Sequence, residues 1–186
     1  MKERGKSIRG FSLVELVVAM AVAAIVLGAL HSVFTYQRKS LALQDRSVEA
    51  QQNARAALQL MTRDIVMAGY SSAAGVAFAH QTSLKVSYGA GNVVKTYGFG
   101  RYSGNRIGRR EEGGSPASPS AVADHVRELA FTYFDAVGNI MPPDINGTVN
   151  HANVRRIRVR VHTVTPPFAG YSSSCTLETD IAPRNL

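Results

Sequence analysis

The chain has 186 residues, a net charge of +8 and 45% hydrophobic residues. That length is enough for one domain with a proper core. A single cysteine, Cys175, excludes an internal disulfide, so the fold must stand on packing, and a lone half-buried thiol is the expectation.

Residues 1–10 carry Lys2, Arg4, Lys6 and Arg9 against one acid, Glu3. Without them the chain is still basic, but modestly. A long apolar run follows, and from Leu16 to Leu30 it holds no charged or strongly polar side chain. As a helix, Phe11 to Tyr36 reaches about 39 Å, enough for the ~30 Å hydrocarbon core. The dry part alone is about 22 Å, so Glu15 lies at or inside the membrane. A carboxylate near the bilayer centre costs on the order of 3 kcal/mol unless a partner compensates it. The basic flank holds the N-terminus in the cytoplasm and leaves the rest in the periplasm or beyond. A secretory signal peptide would have a shorter apolar region followed by a small-residue cleavage site, whereas this run continues past Ala19 to Ala24. A plain single-pass anchor explains the length and the basic flank, but not Gly10 and Glu15 together.

Gly10-Phe11-Ser12-Leu13-Val14-Glu15, behind a basic leader and ahead of an apolar run, resembles the processing site of type IV prepilins. The resemblance implies cleavage by a prepilin peptidase between Gly10 and Phe11 and N-methylation of Phe11. It also implies that Glu15 pairs with the N-terminal amine of a neighbouring subunit. The chain then divides into a leader (1–10), a transmembrane and assembly half of the N-terminal helix (11–36), and a periplasmic or extracellular globular domain that includes the second helix half (37–186).

Past Tyr36 the composition turns polar but stays helical, with no Pro or Gly between His31 and Ala68. Ala54, Leu58, Met61, Ile65 and Ala68 step by four and three, which is one helix face. Leu41 and Val48 extend that face backward, and Arg46, Glu49, Asn53 and Gln59 are read as the opposite one. One helix from Phe11 to Ala68 is expected, with a break near Ser32 as the alternative. Gly69 supplies the helix stop, and Tyr70 can pack back on the last turn.

From Val76 the pattern is β. Ser83 to Tyr88 and Val93 to Arg101 alternate around Gly89-Ala90-Gly91-Asn92 and read as a hairpin. A short strand is expected at Arg106 to Arg109. Glu111 to Ser120 reads as a loop, and Ala121 to Glu128 as one or two helical turns. Leu129 to Asp135 is a strand with Leu129, Phe131 and Tyr133 on one side. Gly138-Asn139 turns the chain, and Met141 to Asn153 is a long loop. Asn153 to Thr165 is the clearest strand, with Ile157, Val159 and Val161 on one face and Arg156, Arg158, Arg160 and His162 on the other. Pro166-Pro167 stops it, and Thr176 to Ile181 is a last short strand.

No catalytic constellation is present: there is no HExxH, GxSxG, P-loop or paired cysteine. His31, His80, His125, His151 and His162 lack metal-ligand spacing, so no metal and no cofactor are expected. Asp124 and His125 adjoin without making an acid–base pair by adjacency alone. Asn146-Gly147-Thr148 fits a glycosylation sequon, a short pattern that often arises by chance. Arg156, Arg158 and Arg160 project from one strand face about 6–7 Å apart. Such a stripe can touch successive phosphates of DNA. The simpler reading is a solvated or edge-protecting face, or a row pairing with acids of a neighbouring subunit.

Thr62-Arg63-Asp64-Ile65-Val66-Met67-Ala68-Gly69-Tyr70 and the ending Pro183-Arg184-Asn185-Leu186 resemble the helix end and C-terminus of PilW-like minor pilins. The pattern of elements predicts an α+β fold, a long N-terminal helix whose second half packs on an antiparallel sheet. The resemblance implies the same arrangement, the type IV pilin fold. It implies a non-enzymatic minor pilin, a low-abundance subunit that initiates or caps a type IV pilus. Its partners would be other major and minor pilins, the prepilin peptidase/methyltransferase and the inner-membrane assembly platform. It would be an inner-membrane protein before assembly and a pilus component, at the tip, afterwards. A J-type pseudopilin of type II secretion, or a tip subunit binding DNA or a surface, are the alternatives.

Overall fold

A computed structural model describes residues 12–71, 75–90, 93–102, 105–112, 120–167 and 170–185. The chain forms two compact units, Met1–Ala42 and Leu43–Leu186.

Helix α1 spans Leu13–Val66, 54 residues without a proline. It is unbroken at Ser32. There the Ser32 hydroxyl donates to the Gly28 carbonyl (3.0 Å) and the Thr35 hydroxyl to the Ser32 carbonyl (2.9 Å), so both polar groups are satisfied by their own helix. In the first unit the helix buries none of its apolar side chains, and Leu16, Val17, Ile25, Leu27 and Leu30 are all more than half exposed. It is long and apolar enough to cross a membrane.

In the second unit α1 buries Ala50, Ala54, Ala57, Leu58, Met61, Asp64 and Ile65. Ala54, Leu58, Met61, Ile65 and Ala68 form the buried face, as the spacing predicts. Leu41 and Val48 do not extend it; they are 60% and 50% exposed. The stripe instead runs back through Ala50 to half-buried Arg46, one turn apart, so Arg46 shares the packed face rather than opposing it. The three alanines let the helix backbone come close to the sheets, and the Thr163 hydroxyl donates to the Ala50 carbonyl (2.9 Å) inside that contact.

The strands form two antiparallel sheets rather than one. Strands β1 (Val76–His80), β2 (Ser83–Ala90), β3 (Val93–Tyr102), β4 (Arg106–Glu111) and β5 (Ser120–Ala123) follow one another, with β7 (Thr148–Val149) beside β1, in the order β5-β4-β3-β2-β1-β7. Strands β6 (Val126–Phe134), β8 (Arg156–Val164) and β9 (Ser174–Ile181) make the second sheet, in the order β6-β8-β9. The expected hairpin is β2–β3, with Ala90 opposite Val93; its turn residues Gly91 and Asn92 lie outside the described residues. The segment 113–119 of the expected loop also lies outside them.

Ala121 to Glu128 is not helical. Ser120–Ala123 pairs with β4, Asp124 and His125 turn the chain with His125 at φ 59°, and Val126 donates to the Asn105 carbonyl (2.7 Å). Backbone pairing at the sheet edge outweighs the modest helix preference of two alanines. Strand β6 does not join the first sheet's ladder. Its Tyr133 hydroxyl donates to the His80 carbonyl (2.7 Å) and accepts from the His80 N–H (3.0 Å), and Phe131 N–H donates to the Gln81 carbonyl (2.8 Å). These bonds stitch the two sheets over one core, where Leu129, Phe131, Tyr133, Ile157, Val159 and Val161 face Met61, Ile65, Leu84, Val86 and Phe99. Burial holds the Tyr133 phenol well above its ordinary range.

Gly69 ends the helix at φ +84°, and its N–H donates to the Ser87 carbonyl (2.9 Å). A Cβ at this position would run into the backbone of Asn185, and Arg184 N–H donates to the Val66 carbonyl (3.3 Å). The helix end and residues 184–185 thus meet in space. Tyr70 stays about half exposed, held through its backbone, its carbonyl accepting from Gly89 N–H at 2.5 Å. A Gly69→Ala change combines a disfavoured φ with a backbone clash, so about 1–3 kcal/mol of stability should be lost. Chemical unfolding of the detergent-solubilised protein measures it, and an unchanged midpoint would show that the C-terminal contact is dispensable.

Candidate functional site

Three places on the chain concentrate polar chemistry: the start of α1, the outer face of the three-stranded sheet, and the end of α1.

Glu15 lies in the first turn of α1, where the unpaired N–H groups of a helix start favour a carboxylate. Leu16 N–H donates to the Ser12 carbonyl (3.1 Å), so the helix is wound from there. Gly10 and Phe11 lie outside the described residues.

Arg156, Arg158 and Arg160 do share one face of β8, and none of them is left unpaired. Arg158 sits directly opposite Asp180 on β9 and grips it with two bonds (2.6 and 3.0 Å). Arg160 sits opposite Glu178 and pairs with it. Arg156 lies over the Phe134 ring (4.2 Å) and 3.9 Å from Asp180. His162 continues the row, its Nδ1 2.7 Å from the Thr176 hydroxyl. The bond from Arg158 holds the Asp180 carboxyl below its usual range. The acids that answer the row therefore come from the adjacent strand of the same sheet. A phosphate would have to compete with them.

The end of α1 holds a cluster that sequence reasoning did not single out. Asp64 is 1% exposed yet ionisable, on the buried stripe between Met61 and Ala68. Its Oδ2 accepts from Arg109 Nε (2.6 Å), and its Oδ1 accepts from the Tyr88 hydroxyl (3.1 Å) and from Arg63 Nε (3.2 Å). Arg109 also donates to the Tyr88 hydroxyl (3.1 Å) and lays its guanidinium 3.6 Å from the Tyr97 ring centre. Tyr88 and Tyr97 stack at 5.1 Å. Burial, then the Asp64 carboxylate, push the Tyr88 phenol up to about 12, so it stays a donor through the neutral range. A signal was available: a carboxylate on an apolar helix stripe needs a buried cation, and Arg109 falls at the inward parity of β4 beside Ile107. This cluster is a lock between helix and sheet. No buried side-chain polar atom in it lacks a partner.

His80 and His125 go to separate partners. His80 Nε2 lies 2.9 Å from the Asn146 carbonyl, inside the turn that carries the sequon, and Gly147 (φ +80°) packs on its ring. His125 lies 3.8 Å from Glu49, while Asp124 pairs with Arg106 (3.0 Å), so the adjacent Asp124 and His125 do not act together. Among the described residues no three His, Cys, Asp or Glu side chains gather as metal ligands. Cys175 is a free, half-buried thiol.

Removing Asp64 strands a half-buried guanidinium and a phenol, which should cost about 3–5 kcal/mol. Removing Arg158, on the exposed sheet face, should cost far less, because solvent screens the pair. Melting of Asp64→Ala and Arg158→Gln beside the parent chain measures both, and equal losses would contradict the assignment of the lock.

Residues 5–30 match the family model of the prokaryotic N-terminal methylation motif. The match covers Lys6 and Arg9 of the basic leader, Gly10, Phe11, Glu15 and most of the apolar run. No curated protein matches the chain. Motif and architecture together support a membrane-anchored protein of the type IV pilin or pseudopilin kind.

Proposed function

We propose that this chain is a minor pilin, a low-abundance subunit that initiates or caps assembly of a type IV pilus. The observation that carries the proposal is the methylation motif at residues 5–30, set on a helix whose next turns are apolar and unburied.

In this reading prepilin peptidase cuts between Gly10 and Phe11 and the new N-terminus is methylated. The anchor helix then enters the filament core beside other pilins, fed from the inner-membrane assembly platform. Glu15 supplies the drive. Unpaired in lipid it costs on the order of 3 kcal/mol; beside the N-terminal amine of the next subunit it is compensated. The pairing also sets the axial step, because it forms at one register only. The minor role draws support from the globular unit. Its turns at Asp135–Asn139 and Asp144–Thr148 are held rigid by aspartates that accept backbone N–H bonds, and they present Val137 and Ile145 to solvent, with Ile140 exposed beside the first. Fixed apolar tips suit one specific neighbour. The residues shared with PilW-like sequences also have physical work here: Asp64 is the buried acid, and Gly69 carries Asn185.

Glu15→Ala should leave the chain in the membrane with an unchanged globular unit but remove it from sheared filaments. Intact mass of the sheared fraction should show a parent chain that begins at methylated Phe11. If the alanine variant enters filaments normally, the pairing argument fails; if the parent chain is recovered only uncut from Met1, the pilin reading fails.

The arginine row bears on the tip-receptor alternative. Arg156, Arg158 and Arg160 are already matched by Asp180 and Glu178, so DNA retention that weakens with salt and depends on these three is not expected. A gel-shift series across salt with the parent and the triple glutamine variant tests this. Retention lost only in the variant would restore the DNA reading.

A further inference from the structure

Among the described residues, strand β9 is an open edge. It pairs with β8 over eight residues, from Ile157↔Ile181 to Val164↔Ser174, with no shift of register, and no described strand lies on its other side. The other edge of this sheet, β6, is covered: Phe131 N–H donates to the Gln81 carbonyl, and the Tyr133 carbonyl accepts from Met141 N–H. In the six-stranded sheet the edge strands are only four and two residues long. Soluble proteins blunt exposed edges with charged side chains, lysine above all, or with proline, a bulge or shortness. β9, Ser174-Cys175-Thr176-Leu177-Glu178-Thr179-Asp180-Ile181, has no lysine, proline or bulge, and its two acids are taken by Arg160 and Arg158 of β8.

An open groove of about 510 Å³ runs beside this edge, between β9 and α1, lined by Arg55, Leu58, Arg63, Leu177, Thr179 and Glu178 among others, with the Glu178 carboxylate already held by Arg160. Arg55 is exposed and has no partner among the described residues. Arg63 gives its Nε to Asp64 and keeps its side chain 64% exposed. A strand laid along β9 would extend the ladder and turn every second side chain into this groove.

We propose that β9 accepts a strand from a different protein chain. That segment is extended, carries acids where it faces Arg55 and Arg63, and has an apolar residue between them over Leu58 and Leu177. A second copy of β9 is not this partner. Paired edge to edge, it would turn Cys175, Leu177, Thr179 and Ile181 to the groove side, with no acid to answer the arginines. The inference stands whether or not the chain enters a filament, because it rests on the edge and the groove alone.

The test uses the full-length protein in its own membranes, with the photo-reactive residue p-benzoyl-phenylalanine at Thr179 and, as control, at exposed Ala121 on β5. The expected result is a light-dependent adduct at position 179 to one segment of another chain. Peptide mass spectrometry should map it with an acid within two residues of the attachment. Arg55→Glu should lower the adduct about fivefold, and Arg55→Lys should keep it. Melting of the detergent-solubilised Arg55→Glu protein checks that the fold is unchanged, as an exposed, unpartnered side chain predicts. An adduct no stronger than at Ala121, attachment to a second copy of this chain, or full yield in Arg55→Glu would overturn the proposal.

Discussion

The globular unit depends on a carboxylate placed where water cannot reach it. Asp64 sits on the packed stripe of α1, and the chain must bring Arg109 and Tyr88 to it from two strands. A buried charge of this kind tolerates little misregistration, because each unmade bond costs the full desolvation of the group left behind. It therefore selects one rotation and one height of the helix against the sheet. The apolar contacts around it, Met61, Ile65, Leu84 and Phe99, supply most of the burial but would accept neighbouring registers. Gly69 and Asn185 close the same end, so helix stop, sheet and C-terminus converge within a few residues of the acid.

One helix meets two solvents. Its first unit has apolar side chains on all faces and buries none of them, which suits lipid or a bundle of like helices. Its second unit narrows to one buried stripe, with alanines at the closest approach to the sheets and polar residues elsewhere. Glu15 belongs to the first part and Asp64 to the second, and the two acids pose the same physical problem. Asp64 finds its cation within its own chain; in the proposed assembly Glu15 finds one on a neighbour. The first makes the unit rigid, the second makes association favourable.

The three-stranded sheet shows how its two sides divide their tasks. Its inner face carries Ile157, Val159 and Val161 to the core, and its outer face neutralises its own charges through directly opposed Arg158–Asp180 and Arg160–Glu178. With those charges settled internally, what the sheet offers outward is backbone: the unpaired side of β9 next to the groove under α1.

Periodicity and turn chemistry made much of this legible in the sequence. The unbroken helix, the buried face from Ala54 to Ala68, the hairpin around residues 89–92, and the alternating faces of β6 and β8 all follow from spacing. The methylation motif is equally local, since charge, Gly10, Phe11, Glu15 and the apolar run lie in consecutive residues. What spacing could not decide is which distant groups meet. Asp64, Tyr88 and Arg109 are separated by more than twenty residues each, and strand order alone brings them together. The same holds for Gly69 with Asn185 and for the acids that occupy the arginine row. Ala121 to Glu128 misled local reasoning because pairing with β4 and the Asp124-His125 turn overrode intrinsic preference. Local pattern determined which segments are helix or strand and which face is apolar. The division into two sheets, the partner of each charge and the free edge at β9 were decided only by tertiary structure, because hydrogen bonds and ion pairs depend on distance in space rather than on separation along the chain.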